Sequence, residues 1–245
     1  MSLFQGNRDK VCWDDIVLTD EYQLYVVDVD RSESNKFGVA RSVNMINNNF
    51  AFVTDEVFSI DITFIKADYN IEPTEWNDGY LEIMARILFK YKEPKVLVVG
   101  SKIYYGIFID GSIKKINNRG YFTVTFQSVK PTAFGATEKL EYYIDEYENI
   151  YIGNGGLYDT YADITIECIR SGRISLINNE HKLEADMNAN ETIKIYGDSR
   201  EVFYDGDIYY DIDILKLVTD INKFNATSTG KFKVIFEYQP ELPLV

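Results

Sequence analysis

Alternation between apolar and polar residues recurs along most of the chain and predicts β-strands. Over residues 57–65, the apolar members of the pattern are Phe58, Ile60, Ile62 and Phe64. A period of two residues is typical of a strand that has one face in a hydrophobic core. The same reasoning predicts strands over residues 23–29, 50–52, 96–99, 104–109, 120–126, 163–169, 173–177, 192–196, 201–204 and 231–238.

Two turn signals divide the strands of the first half. Asp110-Gly111 stands between apolar flanks, and the polar run 117–120 precedes the strand at 120–126. Such residues between apolar runs favour hairpin turns because they tolerate positive φ. We therefore predict a turn at Asp110-Gly111 and a hairpin that closes over residues 117–120. The isolated pair Lys114-Lys115 is interpreted as part of a hairpin turn.

One segment departs from the strand pattern and predicts an amphipathic helix over about residues 77–92. Its apolar residues recur at helical spacing, at Tyr80, Leu81, Met84, Ile87, Leu88 and Tyr91. Residues at this spacing share one face of an α-helix. Thr74 or Asn77 is the expected N-cap. Glu93-Pro94 is expected to end the helix, because the residue before proline avoids helical dihedrals.

The two halves of the chain differ in helix content and predict two domains. Residues 1–133 are expected to form an N-terminal β-sandwich or barrel-like domain that carries the one helix. Residues 134–245 show short strands at roughly 8–12-residue spacing with Asn/Gly turns, a pattern typical of a β-sandwich. The segment 131–137 is the expected boundary, because a strand stops there at Pro131. The predicted fold class is mainly β.

The composition is that of a folded protein, with 46% hydrophobic and 15% aromatic residues in 245. No apolar run approaches the roughly 18 residues that a membrane-spanning helix needs. The first ten residues, MSLFQGNRDK, lack an apolar segment, so no secretory signal is expected. Cys12 and Cys168 are expected to be free thiols of a protein made in a reducing cytosol, with a disulfide between them as the alternative.

The formal net charge of −14 argues against binding to duplex nucleic acid. Such binding needs cationic groups that displace counterions from phosphates, and the chain has no basic stripe. The acidic excess still suggests a relation to DNA of the opposite kind. Like charges repel, so this excess would keep DNA phosphates from adhering to the protein.

Residues that carry catalytic or metal-binding chemistry form no complete site in the sequence. His181 is the only histidine and lies in the polar run 178–182, so it is interpreted as a solvated turn residue. With 39 Asp and Glu residues, a glycosidase-like carboxylate pair has no predictive value. Gly153-Asn-Gly155-Gly156 lacks the Lys-Ser/Thr of a phosphate-binding loop and is interpreted as a turn. Trp13 and Trp76 are interpreted as core residues.

The acidic run DGDIYYDID contains four aspartates, at Asp205, Asp207, Asp211 and Asp213. Counted from Asp205, the EF-hand positions for an oxygen ligand, Gly and Glu hold Tyr209, Tyr210 and Lys216. The calcium-loop pattern therefore fails. The run is instead predicted to be a strand with one apolar side, formed by Ile208, Tyr210, Ile212 and Ile214. We predict no catalytic, cofactor-binding or metal residues, no cofactor, and no enzyme activity.

Several of these segments together resemble the distal tail protein (Dit) family of long-tailed phages. In the first half they are Leu81 to Phe89, Tyr104-Tyr105-Gly106, and Gly120 to Phe126 ahead of Lys130-Pro131. The family often has Asp-Pro at that last point, where this chain has Lys-Pro. In the second half they are Asn154-Gly155-Gly156, Asp163 to Ile169, Ile195 to Asp198, Phe224-Asn-Ala226, and Lys231 to Tyr238.

The resemblance implies a structural virion protein of the siphovirus type, located in the tail tip or baseplate at the distal end of the tail. It implies a ring of six copies, formed by the N-terminal domain, and a galectin-like β-sandwich over residues 134–245 that projects outward. The implied partners are other copies of the chain, the tail tube protein, and the tail-associated hub or lysin protein. A receptor-binding protein is a further implied partner, and DNA passes only through the lumen. No membrane partner is expected.

Two other functions compete with the structural role. A carbohydrate-binding module for host cell-wall polysaccharide is suggested by the galectin-like fold and the Trp and Tyr content, because sugars stack on exposed aromatic faces. A resemblance in fold alone does not show that a protein binds sugars. A hydrolase is the third alternative, and it would require a pair of carboxylates that act on the substrate.

Overall fold

The computed structural model describes residues 10–30, 41–46, 49–55, 57–66, 77–116, 119–178, 181–208 and 214–243. The chain divides into two compact units, Met1–Phe134 with Pro243–Val245, and Gly135–Leu242. The first division falls after Phe134, within the predicted boundary segment 131–137. The strands of both units pair antiparallel, and the predicted mainly β class is confirmed.

The first unit contains ten strands and two helices among its described residues. They are β1 (Val11–Trp13), β2 (Ile16–Val17), α1 (Leu18–Glu21), β3 (Leu24–Asp30), β4 (Arg41–Ile46), β5 (Asn49–Asp55), β6 (Ser59–Lys66), α2 (Asp78–Leu88), β7 (Lys95–Val99), β8 (Lys102–Ile116), β9 (Arg119–Ser128) and β10 (Ala133–Phe134). The main sheet has the order β2-β1-β7-β8-β9-β6-β3, and β10 pairs with β8. The sequence pattern missed α1, because four residues are too few to show helical periodicity.

Helix α2 confirms the predicted amphipathic helix but is shorter than expected. The side chain of Asn77 caps it by accepting a hydrogen bond from the Tyr80 amide at 2.7 Å, whereas Thr74 lies outside the described residues. The prediction that the helix extends to about residue 92 was wrong, because α2 ends at Leu88. Beyond that point Tyr91 contacts Trp13 edge-on, with ring centroids 5.9 Å apart. This tertiary contact takes the chain off the helical path before Pro94.

Trp13 joins helix α2 to the main sheet. Its side chain is fully buried, and its indole N–H donates to the Ile87 carbonyl at 3.3 Å. The rings of Phe108 and Phe126 contact it edge-on at centroid distances of 4.9 and 5.9 Å. The interpretation of Trp13 as a core residue is therefore confirmed, while Trp76 lies outside the described residues.

The predicted turn at Asp110-Gly111 was wrong, because both residues lie inside strand β8. The register between β8 and β9 shifts between Phe108 and Asp110, which is a β-bulge rather than a turn. A Cβ on Gly111 would lie 3.2 Å from Cζ of Phe89. The glycine therefore makes room for the aromatic ring that follows α2, and a turn is not needed to explain it.

The β8–β9 hairpin forms where it was predicted. Ile116 pairs with Arg119, and the two residues between them lie outside the described residues. The interpretation of Lys114-Lys115 as a turn was wrong, because both belong to β8. They pair with Tyr121 and Gly120 of β9.

The second unit contains thirteen strands among its described residues. They are β11 (Glu138–Ile144), β12 (Tyr147–Asn154), β13 (Thr160–Tyr161), β14 (Asp163–Arg170), β15 (Gly172–Asn178), β16 (His181–Met187), β17 (Thr192–Tyr196), β18 (Glu201–Tyr204), β19 (Asp207–Ile208), β20 (Lys216–Leu217), β21 (Asp220–Ser228), β22 (Lys231–Tyr238) and β23 (Glu241–Leu242). One sheet has the order β11-β22-β14-β17-β18-β19, a second β12-β21-β15-β16, and β13 pairs with β20.

The six-stranded and four-stranded sheets of this unit share one hydrophobic core. Alternating residues of both sheets contribute to it. Phe224 of the four-stranded sheet lies against Phe236 of the six-stranded sheet, with ring centroids 5.4 Å apart. The Tyr238 hydroxyl donates to the Gly153 carbonyl at 2.6 Å, which also joins the two sheets. Two sheets packed face to face in this way form a β-sandwich, and the relation of this sandwich to galectins stays a prediction.

Candidate functional site

His181 does not lie in a turn, as the sequence had suggested. It is the first residue of β16 and pairs with Asn178 across the β15–β16 hairpin, and its side chain is half-buried. Residues 179–180, which join the two strands, lie outside the described residues. Because the chain has no second histidine, His181 cannot form a histidine cluster.

The acidic run begins with a hairpin turn and not with a strand. Asp205 and Gly206 have φ values of 48° and 94°, and Tyr204 pairs with Asp207 on either side of them. Two central residues with positive φ define a two-residue hairpin turn of the primed type. The expected strand is only β19, and the side chain of Ile208 is 54% exposed. Residues 209–213, including Asp211 and Asp213, lie outside the described residues.

Within the described ranges, no three His, Cys, Asp or Glu side chains come together in a group that could hold a metal ion. In the same part of the chain, no helix has the length and apolar character needed to cross a membrane.

The interpretation of residues 153–156 as a turn was wrong for Gly153 and Asn154, because both belong to β12. Asn154 organises the loop that follows this strand. Its Nδ2 atom donates to the carbonyls of Tyr158 and Leu217, at 2.9 and 3.2 Å. Its Oδ1 atom accepts from the Gly156 amide at 3.1 Å. Every polar atom of this buried side chain therefore supports the loop backbone, and the motif has a structural role.

Both cysteines are free thiols, as predicted. Cys168 is buried in the sandwich core, and Cys12 is half-buried in β1. Burial raises the pKa of both thiols, and nearby carboxylates add to the effect. A raised pKa keeps a thiol protonated and weakly nucleophilic, so neither cysteine has the properties of a catalytic nucleophile.

Glu191 and Tyr204 form a hydrogen-bonded pair at one end of the sandwich. The Tyr204 hydroxyl donates to the Glu191 carboxylate, which also accepts from the amide and side chain of Asn188 at 2.7 and 2.9 Å. These hydrogen bonds lower the pKa of Glu191, whereas burial and the adjacent carboxylate raise the pKa of Tyr204. A carboxylate held ionised by three donors stabilises the loop and is poorly suited to act as a general acid.

Strands β4 and β5 form a hairpin that is separate from the main sheet. They pair from Arg41↔Asp55 to Ile46↔Asn49 with one register shift, and in the described part of the chain neither pairs with another strand. A two-stranded hairpin is marginally stable by itself. A strand edge without a neighbour presents N–H and C=O groups that can accept another strand. The sequence predicted the strand at 50–52 but not this isolation.

A shallow depression of about 370 Å³ lies on strands β17 and β18. It is lined by Thr192, Lys194, Tyr196, Phe203, Asp205 and Gly206. Of these residues, only Asp205 belongs to a candidate site that the sequence suggested. The signal that could have found the others is the alternation of the strands at 192–196 and 201–204, which places Lys194, Tyr196 and Phe203 on one face.

Comparison with solved structures finds a match over nearly the whole chain. The crystal structure of the Dit protein of phage SPP1, a paradigm of the hub adsorption apparatus in phages that infect Gram-positive bacteria, matches with a TM-score of 0.67 and 13% sequence identity. The match covers 95% of this chain and 99% of that chain. This chain has the fold of SPP1 Dit. The resemblance drawn from its sequence is thereby confirmed at the level of the fold.

Two structures of the phage P2 baseplate in its activated conformation, one with Ca and one with Sr, also match this chain. Each has a TM-score of 0.44 and 10% identity. The matches cover 94% and 95% of this chain and 98% of each baseplate chain. No protein-family model matches the sequence, and no curated protein matches it. The likeness to SPP1 Dit therefore shows the fold of this chain.

Proposed function

We propose that this chain is a structural virion protein that forms a ring, of six copies, at the distal end of a phage tail tube. In this role it connects the tube protein to the tail-tip hub or tail-associated lysin protein, and it anchors adhesion components such as a receptor-binding protein. The N-terminal unit forms the ring, and the galectin-like sandwich projects from it. The protein performs no catalysis.

The observation that carries this proposal is the match to SPP1 Dit along both chains. It extends over 95% of one and 99% of the other, so the likeness includes strands of both units and is not confined to a single common sandwich. A single sandwich would be weak support, because many unrelated functions share that architecture. A protein whose task is assembly also needs no catalytic groups, and the sequence predicts none.

The β4–β5 hairpin is the element that we assign to contacts between copies. A closed ring uses heterologous contacts, so each copy must offer one surface and receive a different one. A hairpin that pairs only with itself among the described residues gains stability when an edge or face of a neighbour covers it. Its sequence, RSVNMI and NFAFVTD, contains apolar residues whose burial against a neighbouring copy would be favourable.

The acidic composition fits a ring through which DNA passes. With a net charge of −14 per chain, six copies would surround the channel with an excess of negative charge. Repulsion of phosphate would then keep DNA from adhering to the lumen. A map of the assembled ring with a predominantly basic lumen would contradict this part of the proposal.

The mass of the purified protein and its image by electron microscopy test the proposal. Six chains of 28.4 kDa give about 170 kDa, and the particles are expected to show sixfold symmetry around a central hole. Some rings close only when a partner is present. The measurement is therefore repeated with the neighbouring tail tube and hub proteins added. A protein that stays monomeric both alone and with these partners would refute the ring.

A shortened variant tests the role of the hairpin. Arg41 and Asp55 are paired, so residues 42–54 can be replaced by a short Gly-Ser linker without stretching the chain. The variant is expected to keep the circular dichroism of the wild type and to lose the ring. A control variant, Tyr151→Ser, changes an exposed residue of the second unit and is expected to assemble normally. Rings formed by the shortened variant would show that the contacts lie elsewhere.

A further inference from the structure

The depression on β17 and β18 has an aromatic floor that the strand alternation creates. Ile193, Ile195 and Val202 are buried in the core of the sandwich. Their neighbours Lys194, Tyr196 and Phe203 therefore point to the opposite, outer face of the sheet. Lys194 pairs directly with Phe203 across the two strands.

The two aromatic rings of the depression contact each other edge to face. The ring centroids of Tyr196 and Phe203 lie 5.7 Å apart at an interplanar angle of 84°. The side chain of Tyr196 is 42% exposed. An exposed aromatic residue on a solvent-facing sheet offers apolar area for a ligand, while its hydroxyl group stays available for hydrogen bonds.

Two charged residues, Lys194 and Asp205, line the depression. Elsewhere on the same face, Lys139 pairs with Glu237 at 2.5 Å and Lys233 with Glu141 at 3.1 Å. Lys194, by contrast, has no ion pair with any residue that the structure describes, and the same holds for Asp205 at the turn after β18. These side chains supply three N–H donors and two acceptor oxygens next to the aromatic rings.

We propose that this depression binds a neutral saccharide. One face of a pyranose ring consists of C–H groups and stacks on Tyr196, the ring of Phe203 contacts the sugar beside it, and the sugar hydroxyl groups bind Lys194 and Asp205. The shallow, open shape and a volume near the lower end of the roughly 300–1,000 Å³ typical of ligand sites suit one or two sugar rings.

The charge of the protein selects a neutral sugar over an anionic one. The net charge of −14 repels polyanionic glycans, and Lys194 is the single cation among the residues that line the depression. The inference gives the carbohydrate-binding alternative a defined site. It goes beyond the ring proposal and does not depend on it, because a monomer carries the complete depression.

Titration of the full chain with sugars, followed by amide NMR and calorimetry, tests the site. The probes are maltose, lactose, diacetylchitobiose and an array of neutral oligosaccharides. We expect saturable binding with amide shifts concentrated on β17 and β18. Tyr196→Ala is expected to weaken binding by about tenfold or more, since it removes a stacking ring, and Tyr196→Phe is expected to retain it.

Tyr143→Ala is the matched control, because Tyr143 is a tyrosine on β11 of the same sheet and is 58% exposed. This variant is expected to bind like the wild type. Three results would overturn the proposal: no saturable binding of any neutral probe, binding with shifts confined to another surface, or equal binding by Tyr196→Ala and the wild type. Circular dichroism of each variant confirms that a loss of binding is not a loss of fold.

Discussion

The substitution Gly106→Ala tests how closely strands β8 and β9 approach each other. A Cβ at this position would lie 2.0 Å from the carbonyl oxygen of Gln127 and 2.7 Å from Cζ of Phe126. Because a carbon and an oxygen in contact lie about 3.3 Å apart, the backbones would have to separate by about 1.3 Å. Such a separation breaks the pairing of Gly106 with Ser128 and strains the hydrogen bond from the Val129 amide to the Tyr105 carbonyl.

The expected cost of this substitution is about 3–6 kcal/mol. Two or three hydrogen bonds contribute about 1 kcal/mol each, and displacement of the buried Phe126 ring adds about 1–3 kcal/mol of packing strain. A loss of this size is a large part of the stability of a typical domain, which is about 5–15 kcal/mol. The Tyr-Gly pattern that contributed to the family resemblance therefore has a steric reason in this chain.

Chemical denaturation followed by circular dichroism measures the effect. Gly153→Ala is the matched control, because nothing lies within 4 Å of a Cβ at that position and its φ is not in the left-handed region. The control is expected to leave the free energy of unfolding unchanged or to raise it by up to about 1 kcal/mol, since it restricts the unfolded chain. A loss below about 1 kcal/mol for Gly106→Ala would refute the steric argument.

Three further predictions concern the core, the acid stability and the thiols. Trp13→Ala is expected to lower the free energy of unfolding by about 3–5 kcal/mol, since it empties a fully buried site, and a loss below about 1 kcal/mol in the denaturation assay would contradict this. The hydrogen bond from Tyr204 lowers the pKa of Glu191. The ionised Glu191 therefore stabilises the folded protein above the pKa that this residue has in the unfolded chain, and this stabilisation is lost as the pH falls through its pKa in the folded protein. Tyr204→Phe is therefore expected to weaken the decline in stability below about pH 4, and acid titrations identical to those of the wild type would argue against the pair. A thiol-reactive dye at neutral pH is expected to label Cys12 in the native protein and Cys168, which is 3% exposed, only after unfolding, and equally fast labelling of both would show that the core opens readily.

The two Asp-Gly dipeptides show where inference from sequence ends. Asp110-Gly111 was predicted to be a turn and lies within a strand, whereas Asp205-Gly206 was predicted to lie in a strand and forms a turn. The dipeptide tolerates positive φ, but it does not require it. At Gly111 the ring of Phe89 decides the outcome, and that ring belongs to a segment more than 20 residues away. At Gly206 the dipeptide forms the two-residue turn that its composition favours, and the strand predicted over this part of the acidic run was wrong.

The candidate sites depend on the tertiary structure in the same way. Tyr196 and Phe203 are separated by six residues in the sequence, and their common surface exists only because β17 and β18 pair. In the described part of the chain, the β4–β5 hairpin pairs with no other strand. This property also depends on the fold, because it is decided by where the other strands lie. Periodicity reports which face of a strand is apolar, and it contains no information about what lies across from that face.

Local sequence patterns were sufficient to predict the mainly β class, the amphipathic helix with its cap at Thr74 or Asn77, and most of the strands. These features follow from local rules, because side chains alternate along a strand and recur every 3.6 residues along a helix. The folded structure was needed to locate the end of α2, to place Asp110-Gly111 within β8, and to show that the acidic run opens with a hairpin turn. These depend on contacts between residues distant in the chain, and the energies of such contacts exceed local preferences of about 1 kcal/mol or less.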